Sequence, residues 1–258
     1  MSLLRQILRY RGACMGSHAP APFALECEDL WAGHAGASEP ALRGVGFQVH
    51  PGQRIALVGA NGAGKSTLLQ VIAGTLPIWK GRVRVFGHAP GLCQHRVVWL
   101  AQRANIDWTF PVTVRRFVLG GRFVHLGWCV PPGADDRVKA DAALELMGLG
   151  NLGDRLIGEL SGGQQQRALL ARALAQGAEL YLLDEPLNAV DQDTRAVVAS
   201  VLDQLKAEGR TVVMSTHDIG RIESDFDHAL FLSEGRQVPL PPGSFVPDTA
   251  TCHHGCCG

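Results

Sequence analysis

The sequence predicts an α/β fold, a mostly parallel, helix-covered sheet with an α-helical lobe inserted in it. Three observations predict it. Short apolar runs alternate along the chain with helical patterns. One of those runs, Ile55–Val58, leads straight into a glycine-rich loop of the phosphate-binding type. The stretch 103–160 lacks strong strand signals and interrupts the alternation.

Residues 1–22 read as an N-terminal extension that ends at Pro20 and Pro22. Arg5, Arg9 and Arg11 flank Leu3, Leu4, Ile7 and Leu8, a run too broken for the apolar segment of a signal peptide. The readings are a frayed extension, a start codon placed too early with Met15 as the true start, or a short amphipathic segment at a membrane surface. The core begins near Phe23. Ile55–Val58 reads as a buried strand and Arg82–Phe86, which alternates, as a half-buried one. Val97–Leu100, Leu180–Leu183, Thr211–Met214 and Ala229–Leu232 are further strands. Ala140, Ala143, Leu144 and Met147 repeat at i, i+3, i+4, i+7, as do Val198, Val201, Leu202 and Leu205, so both sets mark helices. The expected organisation is a core over 23–102 and 161–238, a helical lobe over 103–160, and a flexible Pro/Gly-rich tail over 239–258.

The chain of 258 residues is long enough for one large α/β domain with a real core. With 46% hydrophobic and 19% charged residues it is globular. Lys+Arg and Asp+Glu are both 24, which argues against a nonspecific nucleic-acid binder. No apolar run reaches the ~18–20 residues needed to span a bilayer. Seven scattered cysteines, an odd number, argue against a secreted disulfide scaffold and point to a reducing, cytosolic compartment.

Residues 59–67 read GANGAGKST, a full G-x-x-x-x-G-K-[ST] match between a strand and a helical pattern. Gly59, Gly62 and Gly64 let backbone N–H groups curl around phosphate oxygens, with Asn61 between them. The helix that starts there adds a partial positive charge. Lys65 would reach the β- and γ-phosphates, and the Ser66 hydroxyl, beside Thr67, would ligate Mg²⁺. Asp184 and Glu185 follow the apolar run 180–183. Asp184 would hold Mg²⁺ and Glu185 would polarise the attacking water. Ser161 and Gln164, in LSGGQQQR, form an S-x-x-Q capping box. Gly162 and Gly163 leave N–H groups uncovered at that helix start, an anion site.

LSGGQQQR (160–167) resembles the signature of ATP-binding-cassette (ABC) ATPases. Gln102 after a strand, the LLDEP run (182–186), Asp191 and His217 stand in that family's order, and the resemblance spans residues 25 to about 236. It implies a phosphate-loop core with an antiparallel β edge, the inserted lobe, and ATP and Mg²⁺ as ligands. It also implies a head-to-tail dimer, in which the signature of one cassette closes on the γ-phosphate bound to its partner. Gln102 would contact Mg²⁺ or the attacking water and report nucleotide state to the lobe, His217 would hold the γ-phosphate, and Asp191 would cross the dimer seam. Where the family stacks an aromatic ring on adenine, this chain has His34, with Trp31 as the alternative.

Within the lobe, QRANIDWTFPVTVRRFVLGGRFVHLGW (102–128) resembles cassette subunits of the manganese/zinc/iron importer family. The matching positions are Asp107, Trp108, Phe110, Pro111, Thr113, Val114, Gly121, Arg122, Leu126, Gly127 and Trp128. The resemblance implies import of a divalent metal through a separate membrane permease, with an extracytoplasmic substrate-binding protein and peripheral attachment to the cytoplasmic face of the membrane. Trp108 and Phe110 would offer contact area to the permease, or form ordinary lobe core. Chelated iron, haem or an exported cargo, and a soluble ATP-dependent regulator, are the alternatives. Cys252, His253, His254, Cys256 and Cys257 in the tail are soft metal ligands without C-x₂-C spacing, read as a solvated tail or as a weak Zn²⁺ or Cu⁺ site.

Overall fold

A computed structural model of the chain describes residues 21–102, 106–126, 130–188, 190–217, 220 and 222–239. The readings made for residues 1–20, for Gly127 and Trp128, and for the Cys/His cluster lie outside the described residues. Two sheets are present. Strands β1 (Leu25–Ala32), β2 (Leu42–Val49) and β4 (Ile78–Val85) form an antiparallel sheet in the order β2-β1-β4. Strands β3 (Arg54–Val58), β5 (Val97–Leu100), β6 (Leu180–Asp184), β7 (Thr211–Thr216), β8 (His228–Ser233) and β9 (Arg236–Val238) form the second. Its order is β5-β6-β7-β3-β8-β9, parallel except for β9.

The continuous apolar runs follow from burial on both faces of this second sheet. Ile55, Leu57, Leu182 and Val213 point into a core shared with the antiparallel sheet and with α1 (Lys65–Ala73). Their neighbours Ala56, Val58, Leu183 and Met214 point into the other core. That core is filled by α2 (Val114–Leu119), α3 (Ala134–Leu146), α4 (Gly162–Gln176) and α5 (Gln192–Ala207). A four-residue helix, α6, covers Ile222–Asp225. The six expected strands are all present, though the one expected over 82–86 begins at Ile78 and stops at Val85, before Phe86 turns into the left-handed region at φ +48. The two helical repeats lie in α3, with Met147 buried just past its end, and in α5.

Strands β1 and β2 carry no clean alternation in the sequence. The reason is irregular pairing: β1 shifts register after Cys27 and again after Leu30, and Asp29 inside it has φ +44. Cys27 is a free thiol whose pKa burial pushes up to about 12. Cys93 is disulfide-bonded, which the scattered cysteine spacing gives no reason to expect.

Candidate active site

Four adjacent parallel strands deliver the site, because in an open parallel sheet the carboxyl ends share one edge. β5 leads to Gln102, β6 ends on Asp184 and Glu185, β7 leads to His217, and β3 runs into the loop at Gly59. The register is tight: Ser215 pairs with both Asp184 and Leu57, and Val58 pairs with Thr216.

The loop 59–64 is shaped by its glycines. Gly64 sits at φ +102 as the N-cap of α1, where a side chain would also press on Leu42. At Gly59 a Cβ would run into the Leu232 carbonyl, so only glycine lets the loop pass beneath β8. Gly62, at φ +81, has open space where a side chain would stand, and Asn61 beside it is exposed. Ser66 and Thr67 lie in the first turn of α1, half-buried and buried. The Lys65 side chain is 6% exposed. Its Nζ donates to the carbonyls of Gly59 (2.7 Å) and Ala60 (3.1 Å) and lies 3.7 Å from Glu185 Oε1.

Glu185 is the meeting point. Its other oxygen, Oε2, accepts from Gln102 Nε2 at 2.6 Å and from Asn188 Nδ2 at 3.1 Å. Its backbone has φ +48, a left-handed conformation that costs an L residue about 1–2 kcal/mol. Strain of that kind persists where the surrounding structure imposes it. Asp184 next to it is 4% exposed. His217 is exposed and lines the same cleft as Glu185, Asn188 and Arg195. Thus the structure brings Lys65, Gln102, Asp184, Glu185 and His217 to one edge. It adds Asn188 and Ser215, to which the sequence alone assigns no role. Asn188 has no signal beyond its place three residues after Glu185. The donor set of Ser66 hydroxyl, Asp184 carboxylate and Gln102 amide consists of hard oxygen groups, which fits Mg²⁺ and not a soft metal.

The signature helix is built as its capping box predicts. Gln164 N–H donates to Ser161 Oγ (3.4 Å), and Ser161 N–H donates to Gln164 Oε1 (2.9 Å). Gly162 meets nothing within 4 Å where a Cβ would stand. Gly163 is required for a different reason, since a Cβ there would press on the Asp191 carboxylate. Asp191 caps α5: its oxygens accept from Thr194 N–H (2.8 Å) and Thr194 Oγ1 (3.1 Å). The Thr194 N–H is the main cause that holds its carboxyl below the usual range. Gln166 Nε2 donates to the Pro186 carbonyl (3.2 Å), which ties the signature helix to the turn after Glu185. His34 is exposed in the turn after β1. Trp31 is committed elsewhere, with Nε1 donating to Asp29 (3.0 Å) and Lys80 over its ring.

In the lobe, Asp107 accepts from Thr109 N–H and Oγ1, and Thr113 caps α2. Trp108 is half-buried against Phe117, with ring centroids 5.8 Å apart, whereas Phe110 is 61% exposed. The two aromatics therefore divide the roles expected of both: Trp108 packs in the lobe and Phe110 faces out.

A family model described as ABC transporter matches residues 42–188. The chain belongs to the ABC transporter family. This cassette is 42% identical over 211 residues to the zinc transport system ATP-binding protein TroB of Treponema pallidum, covering 82% of this chain and 79% of that one. It is 40% identical over 194 residues to the manganese transport system ATP-binding protein MntB of Halalkalibacterium halodurans, covering 75% and 77%. Among solved structures it resembles a dimeric ATP-binding cassette in a post-hydrolysis state bound to ADP and Pi. The TM-score is 0.73 at 25% identity, over 83% of this chain and 96% of that one. The protein is an ABC-type ATPase that binds and hydrolyses ATP as a component of a transport system. Among the described residues, no helix is long and apolar enough to cross a membrane.

Proposed function

We propose that the cassette energises import of a divalent metal cation of the Mn/Zn/Fe type through a separate membrane permease. A second copy would complete its ATP sites, and an extracytoplasmic protein would deliver the metal. Residues 23–102 and 161–238 act as the ATPase core, and the lobe over 103–160 receives the permease at the cytoplasmic face of the membrane. The relatives' zinc and manganese systems and the D-W-T-F-P stretch at 107–111 support this cargo. The observation that carries the hydrolytic role is a single contact set: Glu185 stands between Lys65 Nζ and Gln102 Nε2 at the carboxyl ends of β5 and β6.

In this reading the N–H groups of Gly59–Lys65 and the start of α1 bind the phosphates, and Lys65 turns from the Gly59 and Ala60 carbonyls to the β- and γ-oxygens. Ser66 and Asp184, with Gln102 beside them, would hold Mg²⁺, whose charge neutralises the triphosphate when bound. Glu185 accepts a proton from the attacking water. Gln102 orients that water and the carboxylate together, and His217 donates to the γ-phosphate. Ser161–Gln164 presents its N–H groups to the γ-phosphate of the partner cassette, Asp191 lies at the seam, and His34 stacks on adenine.

The test is cellular Mn, Zn and Fe by mass spectrometry in a strain carrying Glu185→Gln at the native locus. Selective loss of one of these metals is expected and names the cargo. Unchanged content of all three, with the variant expressed and binding ATP, overturns metal import and points to another cargo or to a soluble regulator.

A further inference from the structure

We infer that Ser215 is a positioning residue for hydrolysis, its one hydroxyl setting the Asp184–Glu185 pair; this rests on the roles proposed above for those two carboxylates. Ser215 lies on β7 directly opposite Asp184 on β6, and its side chain is 1% exposed. Its Oγ donates to Asp184 Oδ1 at 2.7 Å and accepts the backbone N–H of Glu185 at 2.8 Å. A hydroxyl has one proton to give, and giving it to Asp184 turns the lone pairs toward the Glu185 N–H. The two bonds therefore fix each other.

This linkage sits where the backbone is least able to hold itself. At Asp184 the strand ends, and at Glu185 the chain enters the left-handed region at φ +48. A relaxed φ would swing the Glu185 side chain out of the cleft it shares with His217 and away from Lys65 and Gln102. Ser215 restrains the N–H on one side of that φ, and Asn188 N–H holds the Glu185 carbonyl on the other at 3.1 Å. The same hydroxyl keeps Asp184 Oδ1 engaged, so the orientation of the Mg²⁺-binding carboxylate and that of the general base are set by one atom. An apolar residue of similar size would fill the space and leave both groups buried without their partner.

The experiment compares Ser215→Ala and Ser215→Thr in the full-length chain with Glu185→Gln and with the Ser215→Ala/Glu185→Gln double variant. The readouts are kcat and KM for ATP, melting temperature, and Mg²⁺ titration of fluorescent-ATP binding. Ser215→Ala is expected to lower kcat about 10- to 100-fold. Its nucleotide affinity at saturating Mg²⁺ should be unchanged, and the Mg²⁺ needed for half-maximal binding should rise. Ser215→Thr, which keeps the hydroxyl, should recover most of the rate. At saturating Mg²⁺, where the effect through Asp184 is silent, adding Ser215→Ala to Glu185→Gln should cost no further rate, because residues that act as a unit are not additive. A wild-type kcat in Ser215→Ala overturns the inference. So does a rate loss that is equally large in the Glu185→Gln background, or one that follows the melting temperature and is not rescued by threonine. Wild-type hydrolysis by Glu185→Gln alone would instead remove the assignment of Glu185, and the inference with it.

Discussion

Buried charge serves opposite ends in two regions of this cassette. In the lobe, Arg122 is 6% exposed in the 3-10 helix after α2. Its Nε donates to Asp136 (2.9 Å), and its Nη1 donates to the last carbonyls of α4, Ala175 (3.1 Å) and Gln176 (2.9 Å). His125 adds a second donor to the Gln176 carbonyl, and the Gln176 amide donates in turn to the carbonyls of Gln94, ahead of β5, and Val97, its first residue. These charges are matched by neighbours on relaxed helix ends. At the cleft, Lys65 is equally buried, but it rests on loop carbonyls and faces a carboxylate on a strained backbone. The lesson is that burial alone does not mark a catalytic charge. What marks it is burial combined with partners that a substrate can replace.

Breaking the lobe network should therefore cost stability and spare the chemistry. Arg122→Ala leaves two helix-terminal carbonyls short of a charged donor, at about 1.5–3 kcal/mol. Chemical denaturation should show that loss, while kcat per folded molecule stays near wild type. Lys65→Met should do the reverse. Removing the proposed charge-assisted phosphate contact, worth about 1.5–3 kcal/mol, should lower nucleotide affinity about 10- to 100-fold in fluorescence titration. Its denaturation midpoint should move less than that of Arg122→Ala.

An exposed residue with both a structural and a proposed seam role sharpens the comparison. Asp191 caps α5, so Asp191→Ala should lower unfolding free energy by about 1 kcal/mol in denaturant titration. Asp191→Asn, which still caps, should restore stability. The smallest effect is a pH dependence at the lobe network. Burial is the main cause that pushes the His125 pKa below the ordinary value. Arg122 and Lys139 push it the same way, the Gln176 carbonyl and Asp136 pull it up, and the His95 ring faces it edge-on. A depressed folded pKa means that the folded state binds fewer protons than the unfolded one. The His125 contribution is then complete above about pH 6.5 and is lost as pH falls through the folded value. Thermal melts from about pH 7 to about pH 5 should drop more steeply for wild type than for His125→Gln.

The sequence made the parallel sheet legible because strands buried on both faces must be apolar throughout. It made the phosphate loop and the signature helix legible because glycine spacing and a capping box are local chemistry. Strands β1 and β2 escaped because bulges break their period and Gly44 and Gly46 interrupt β2. The contact between Gln102 and Glu185 joins residues 83 apart, and no local pattern encodes which strands will be neighbours. Ser215 escaped for the same reason, since in sequence it is one serine just past an apolar run. The Gly-Arg pair at 121–122, matched only by resemblance, acquires a physical role. Gly121 packs on the Arg172 carbonyl, and Arg122 closes the end of α4.

The distinction between the two kinds of buried charge is tested most directly on Glu185. Single-turnover hydrolysis, ATP binding and melting temperature should be measured together for Glu185→Gln and wild type. The amide keeps the size of the side chain and loses the carboxylate proposed as the base. Hydrolysis should fall about 10²- to 10⁴-fold with ATP binding and melting temperature unchanged. Hydrolysis at the wild-type rate, or a loss of activity that only follows a loss of folded protein, would contradict the account and place Glu185 with Arg122 among the charges that hold the fold.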